Sequence, residues 1–203
     1  MVGLAGEPAM RRIAPAGPTL RNIGAAMSDT PDEWQATLQA AVDEARRSGQ
    51  RFVGTEHLLL GLLRQNDNVS VRLAGEYGIT YEAVHRVYAS VFLGPTGDDP
   101  SRPGSPPFMV ALSVFPIGSP LRPISAEETP QFAPRTRNVV QVAEALAEDS
   151  VALAHLLLSL LSDREGVGAG LLRQMIYDQG LPRDTLVQLE RALEALIDNP
   201  ETS

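Results

Sequence analysis

Glu56 and His57 are adjacent, and no other carboxylate in the chain directly neighbours an imidazole. Such a pair could trade protons as general acid and base, or give two ligands to a metal. A zinc-protease helix needs a second histidine four residues further on, but Gly61 stands there. His155 has Ala154 where the acid would be, and His85 sits in a segment with its own apolar face, which fits a surface or half-buried residue. The expectation for His57 and His155 is therefore structural: each makes a hydrogen bond that positions its helix. The run Gly166-Val167-Gly168-Ala169-Gly170 has the composition of a phosphate loop. No strand pattern precedes it and no lysine exists to serve it, so it reads as a flexible turn feeding a helix. Ser70, Ser159 and Ser162 have no His–Asp arrangement to activate them. Asp43, Glu44, Glu144 and Glu148 fit solvated helix faces. No catalytic residue, metal or cofactor is expected.

The same economy appears in the composition. All 17 basic residues are arginine. Without lysine there is no Walker A motif, Schiff base or Ser–Lys dyad. Without cysteine there is no disulfide, thiolate metal site or thiol nucleophile. With 25 acidic residues the net charge is −8, which disfavours a phosphate backbone as partner. The densest basic cluster, Arg46, Arg47 and Arg51, is flanked by acids. No apolar run approaches the ~18 residues of a membrane span. Pro15, Gly17 and Pro18 interrupt any signal-peptide core after Arg11 and Arg12. The expectation is a cytoplasmic protein with no nucleic-acid or membrane partner. With 43% hydrophobic and 21% charged residues in 203, the chain can bury a core.

What must position these residues is helical and repeated. Thr55–Leu63 reads TEHLLLGLL and Leu153–Leu161 reads LAHLLLSLL, so His57 aligns with His155. Gly78-Ile79 and Gly180-Leu181 align downstream. A repeat of roughly 70 residues follows. Residues 1–26 form a Gly/Ala/Pro-rich extension, 27–94 the first block, 95–131 a linker and 132–199 the second block. Ten of the 16 prolines lie between Gly94 and Pro134.

Each block reads as four helices. Thr30 and Pro31 suit the start of the first helix, Trp34, Leu38, Ala41, Val42 and Ala45 give its apolar face, and Gly49 its left-handed end. Thr55 suits the cap of the second, which runs to about Gln65, the third ends near Gly78, and the fourth follows Thr80. The later block repeats this from Pro134, with a turn at Asp149-Ser150, a third helix over about 167–179 and a fourth carrying Leu186, Leu189, Leu193 and Leu196. Strand signals are confined to the linker, where Phe108–Phe115 is continuously apolar. That stretch, extended to Ile117, is expected to fold back onto the helices, either into a groove or as extra core.

FVGTEHLLLGLL at Phe52–Leu63 resembles the N-terminal domain of the Clp unfoldases, the ClpC type in particular. AAVDEARRSG at Ala40–Gly49 is similar to that family's first helix, and FAPRTRNVV at Phe132–Val140 to the opening of its second repeat. The resemblance implies an all-α fold of two tandem four-helix Clp N-domain repeats with pseudo-twofold symmetry, here joined by a long Pro-rich linker. No Walker motif follows, so the chain looks like a free-standing Clp N-domain protein. The implied function is a non-catalytic module docking clients, adaptors or cyclic-peptide antibiotics, as accessory, adaptor or decoy of a Clp ATP-dependent protease. Its partners would be a Clp unfoldase, ClpP or both. The alternative is a structural accessory subunit on the ClpP ring. The family's ligand groove maps to Met27, Leu38 and Phe132, with Arg137 near the rim. Some members dock phosphoarginine through the Glu of T-E-H and a threonine opening each repeat. Glu56 keeps the acid, whereas Ala154 replaces the second one and Pro31 and Ala133 occupy the threonine positions, so only a residual site of that kind is implied.

Overall fold

The computed structural model describes residues 32–93, 128–147 and 153–198. Met27, the Thr30-Pro31 cap, the Asp149-Ser150 turn and the linker up to residue 127, with its apolar stretch, lie outside them. In chain order the elements are α1 (Asp32–Arg47), β1 (Phe52–Val53), α2 (Thr55–Leu63), α3 (Val69–Glu76), α4 (Tyr81–Tyr88), β2 (Gln131–Phe132), α5 (Pro134–Leu146), α6 (Leu153–Ser162), α7 (Val167–Gln179) and α8 (Thr185–Asp198). A π-helical turn at Ala89–Leu93 extends α4.

Local sequence explains most boundaries. Helix α1 has Asp32 and Glu33 in its first turn and Arg46 and Arg47 in its last, matching the helix dipole. Asn68 and Thr80 cap α3 and α4 through side-chain oxygens. Gly78 and Gly180 adopt φ of 77° and 65°. In each, the glycine N–H and the next residue's N–H turn back onto the preceding helix: Ile79 N–H reaches Ala74 O and Leu181 N–H reaches Ile176 O, both at 3.0 Å. A Cβ would disfavour that left-handed backbone, which is why both blocks place Gly there. Gly49 closes α1 in the same manner.

All nine residues of α2 are buried. A helix apolar around its circumference belongs in the middle of a fold, and α2 packs on α1, α4, α5, α6 and α7. Gly61 permits the closest of these approaches. A Cβ there would lie 2.6 Å from Ala41 N and 2.8 Å from Thr37 O of α1.

Three expectations need correction. The apolar-run signal missed two strands. β1 and β2 pair in parallel, Phe52 with Gln131 and Val53 with Phe132. Two residues are too short for an alternating pattern, so the pairing is set by tertiary context. The Gly166–Gly170 run is not a flexible turn. Gly166 is the N-cap of α7, and Gly168, Ala169 and Gly170 are buried in its first turns. A Cβ on Gly168 would sit 2.8 Å from Thr55 O, so the glycine lets two helix starts touch. Glu44 does not face solvent; it is 3% exposed.

Candidate functional site

β1 leads through Gly54 directly into α2, which makes Gly54 the N-cap, Thr55 N1, Glu56 N2 and His57 N3. In a capping box the N3 side chain reaches back to the N-cap N–H. His57 does this with a ring nitrogen: Gly54 N–H donates to Nδ1 at 3.0 Å. Nδ1 is therefore an acceptor, and the ring proton sits on Nε2. Nε2 lies 3.1 Å from the Tyr88 hydroxyl of α4, to which it donates. Gln50 Nε2 also donates to that oxygen, at 3.4 Å. The imidazole meets the Tyr88 ring edge-on at 5.7 Å.

His57 is wholly buried and Glu56 is 6% exposed. Burial pushes the His57 imidazole down to about 4 and the Glu56 carboxyl up to about 7, the latter against a hydrogen bond from its own backbone. Glu56 Oε1 lies 3.3 Å from His57 Nδ1. Next to them, Thr55 Oγ1 accepts the Gly168 N–H at 3.0 Å, tying α2 to α7.

A second buried acid serves the other end of the first block. Arg47, Arg64 and the Tyr81 hydroxyl converge on Glu44 Oε1 at 2.8, 3.2 and 3.0 Å. One carboxylate thus ties α1 to the end of α2 and the start of α4. Burial, then the Glu44 charge, raises the Tyr81 pKa. His85 is half-buried, stacked on Tyr81 at 5.4 Å.

Chemically this arrangement can hold helices and cannot reach a substrate, because its imidazole has no exposed surface. Among the described residues no three His, Asp or Glu side chains gather as a metal site, and no helix is long and apolar enough to cross a membrane. The remaining residues singled out in the sequence are dispersed. Leu38 is 5% exposed on α1. Phe132 is half-buried on β2 and Arg137 half-buried in the first turn of α5. His155 is 9% exposed on α6. Parallel pairing puts Phe132 on the same side as buried Val53 and leaves Phe52, 50% exposed, on the other. A separate open groove of about 300 Å³ lies between α3 and α8, lined by Val69, Leu73, Ala192 and Leu196 with Arg72 and Glu76 at its edge.

The sequence analysis missed Thr55, Tyr88 and Glu44. Glu44 carried a signal: it is three residues from Ala41 and seven from Thr37, on the buried stripe of α1.

The model of the Clp repeat N-terminal domain matches residues 31–111. Over those residues the chain resembles a Clp N-terminal domain. It is 26% identical over 159 residues to the negative regulator of genetic competence ClpC/MecB of Bacillus subtilis, covering 76% of this chain and 16% of that one. It is 28% identical over 156 residues to the chloroplastic chaperone protein ClpC1 of Arabidopsis thaliana, covering 75% and 14%. The chain thus spans about a sixth of the length of such relatives. The N-terminal domain of the chaperone ClpD from Arabidopsis thaliana has the same fold, with a TM-score of 0.53 at 18% identity over 83% of this chain and 94% of that one. The mostly helical architecture is that of a Clp N-terminal domain. The domain match covers the whole Glu56–His57–Tyr88 network, and the pairwise alignments run on beyond the first block.

Proposed function

We propose that this chain is a non-catalytic docking module that binds protein segments and acts on a Clp ATP-dependent protease as adaptor, accessory or decoy. The observation that carries the reading is the Clp repeat match over residues 31–111, a domain type that serves as a substrate-binding module beside separate ATPase domains. The sealed position of His57 supports it, since its contact with Glu56 has no access to a substrate.

In this reading the two blocks, 27–94 and 132–199, are tandem repeats about a pseudo-twofold, with 95–131 between them and 1–26 ahead. The packing supports this pairing. Helix α2 packs on α7 as α6 packs on α3, and α4 packs on α7 as α8 packs on α3. In this reading Phe132 and Arg137, both half-buried, would belong to the docking groove, with Leu38, 5% exposed, beneath the surface of α1; Met27 lies outside the described residues. A half-buried phenylalanine and a half-buried arginine suit an apolar segment carrying an acid. Phosphoarginine docking at Glu56 has little support, because that carboxyl is 6% exposed.

The test is fluorescence anisotropy with a labelled, permanently unfolded protein as probe. Micromolar binding is expected, weakened at least ~5-fold, or about 1 kcal/mol, by Phe132→Ser and by Arg137→Glu. Absence of binding up to ~100 µM would reject the reading. Stable co-sedimentation with the ClpP ring, and no affinity for unfolded protein, would favour a structural accessory.

A further inference from the structure

We infer that the chain folds with a proton on Glu56 and none on His57 Nδ1, and that this neutral carboxyl is a latch on the seam between α2 and α7 which ionisation of Glu56 releases.

Geometry fixes the two protonation states. Gly54 N–H points its hydrogen at His57 Nδ1 at 3.0 Å. A protonated Nδ1 would set two hydrogens against each other, so Nδ1 is a bare acceptor. Glu56 Oε1 lies 3.3 Å from the same nitrogen. A carboxylate there would oppose lone pair to lone pair, whereas the neutral acid relieves that repulsion and leaves the Nδ1 lone pair to Gly54 N–H. The carboxyl is boxed in. It lies against Gly54 so closely that any Cβ at that position would overlap it.

The surrounding charges offer no counter-ion. From α1 and the end of α2, Glu44 engages Arg47 and Arg64. Arg51, before β1, pairs with Glu128, and Arg135 of α5 pairs with Asp163 and Glu165. Arg137 of α5 is half-buried and His155 of α6 is buried. From α4 come Tyr88 and the half-buried His85. On α7, Arg173, Tyr177 and Asp178 are exposed. The Glu56 backbone N–H favours the ion, and burial outweighs it.

Folding therefore moves a proton from one residue to its neighbour. Between about pH 4.5 and 6.5 the unfolded pair is carboxylate plus imidazolium, and the folded pair is carboxylic acid plus imidazole. Each state holds one proton, so the pair leaves stability flat in that window. Above about 6.5 the unfolded pair holds none while folded Glu56 keeps its proton to about 7, and stability falls as pH rises. Below about 4.5 the unfolded pair holds two protons against one, and stability falls as pH drops towards about 4. Thr55, adjacent to Glu56, holds the Gly168 N–H of α7, so expulsion of an ionised Glu56 carboxylate from this turn loosens that contact.

The experiment compares unfolding of the full chain, Glu56→Gln and His57→Gln from pH 4 to 8. Each variant is read as a ratio to the parent so that other groups cancel. Glu56→Gln mimics the neutral acid. Its unfolding constant relative to the parent should drop about 80-fold between pH 4.5 and 7, the part of the 2.5 pK-unit difference that falls between the two pKa values. His57→Gln should change in the opposite sense between pH 4 and 6.5. Ratios independent of pH would overturn the assignment. Nitrogen-15 NMR of the parent should show His57 neutral and protonated on Nε2 at pH 5.5; an imidazolium signal would also overturn it. For the latch, hydrogen-exchange protection of the Gly168 amide, corrected for intrinsic rate, should fall between pH 6 and 8 in the parent and hold in Glu56→Gln. Equal protection at both pH values in the parent would overturn the latch.

Discussion

The starts of α2 and α6 hold the same histidine in different surroundings. In α2 it follows Gly54, Thr55 and Glu56, and all of these lie in a polar network reaching Tyr88 and Gly168. In α6 the preceding residues are Leu153 and Ala154, both buried. Six residues into each leucine run the blocks differ again. Gly61 touches the α1 backbone, while Ser159 is buried with its hydroxyl unpartnered. A buried polar group holds geometry only where its partners are supplied. At the start of α2 they are supplied, while the Thr37 hydroxyl of α1 and the Ser159 hydroxyl of α6 are both buried unpartnered. The comparison teaches that directional bonds fix the start of α2, whereas the two residues before His155 contribute aliphatic packing.

The largest asymmetry should appear at Gly61 and Ser159. Gly61→Ala pushes a Cβ to 2.6 Å from a backbone nitrogen that has no side-chain freedom to move. Chemical denaturation should show a loss of about 3 kcal/mol, even after the ~1 kcal/mol that alanine gains in helix propensity. An unchanged midpoint would mean that α1 and α2 do not approach as described. Next in size is His57→Ala, which strands Gly54 N–H and removes the Tyr88 partner. A loss of about 1–3 kcal/mol is expected, with near-ultraviolet dichroism reporting the tyrosine. Gly168→Ala should cost about 1–2 kcal/mol by forcing α7 off Thr55; full retention of stability would break the account of the seam. The smallest effect is at Ser159. Ser159→Ala deletes an unsatisfied buried hydroxyl and should be neutral or stabilising by up to ~1 kcal/mol in the same denaturation series. A clear destabilisation there would show that the Ser159 hydroxyl has a partner after all.

The helices were legible because apolar spacing and terminal residues encode them locally. Gly78 and Gly180 marked two helix ends, the second of them the end of α7. The Clp resemblance was legible for a different reason: TEHLLLGLL combines a capped start with a helix buried on every side, and both features are visible in the order of residues. What escaped was set by distance along the chain. Nothing near Tyr88 announces that its hydroxyl meets a histidine 31 residues earlier. β1 and β2 are two residues each and exist through their mutual pairing. The glycines that open α7 resembled a flexible turn because the contact of Gly168 with Thr55 spans 113 residues of chain. Glu44 was readable from its helical position and was overruled by its charge; its arginine and tyrosine partners explain why burial is tolerated.

The docking reading meets its most direct test in competition. A ClpC-type unfoldase with ClpP degrades a client that enters through the unfoldase's own N-terminal domain, and this chain is added in increasing excess. The account predicts saturable inhibition, relieved by more client and reduced by Phe132→Ser or Arg137→Glu. A degradation rate that stays constant at ~50-fold excess, far beyond what micromolar affinity requires, would contradict it.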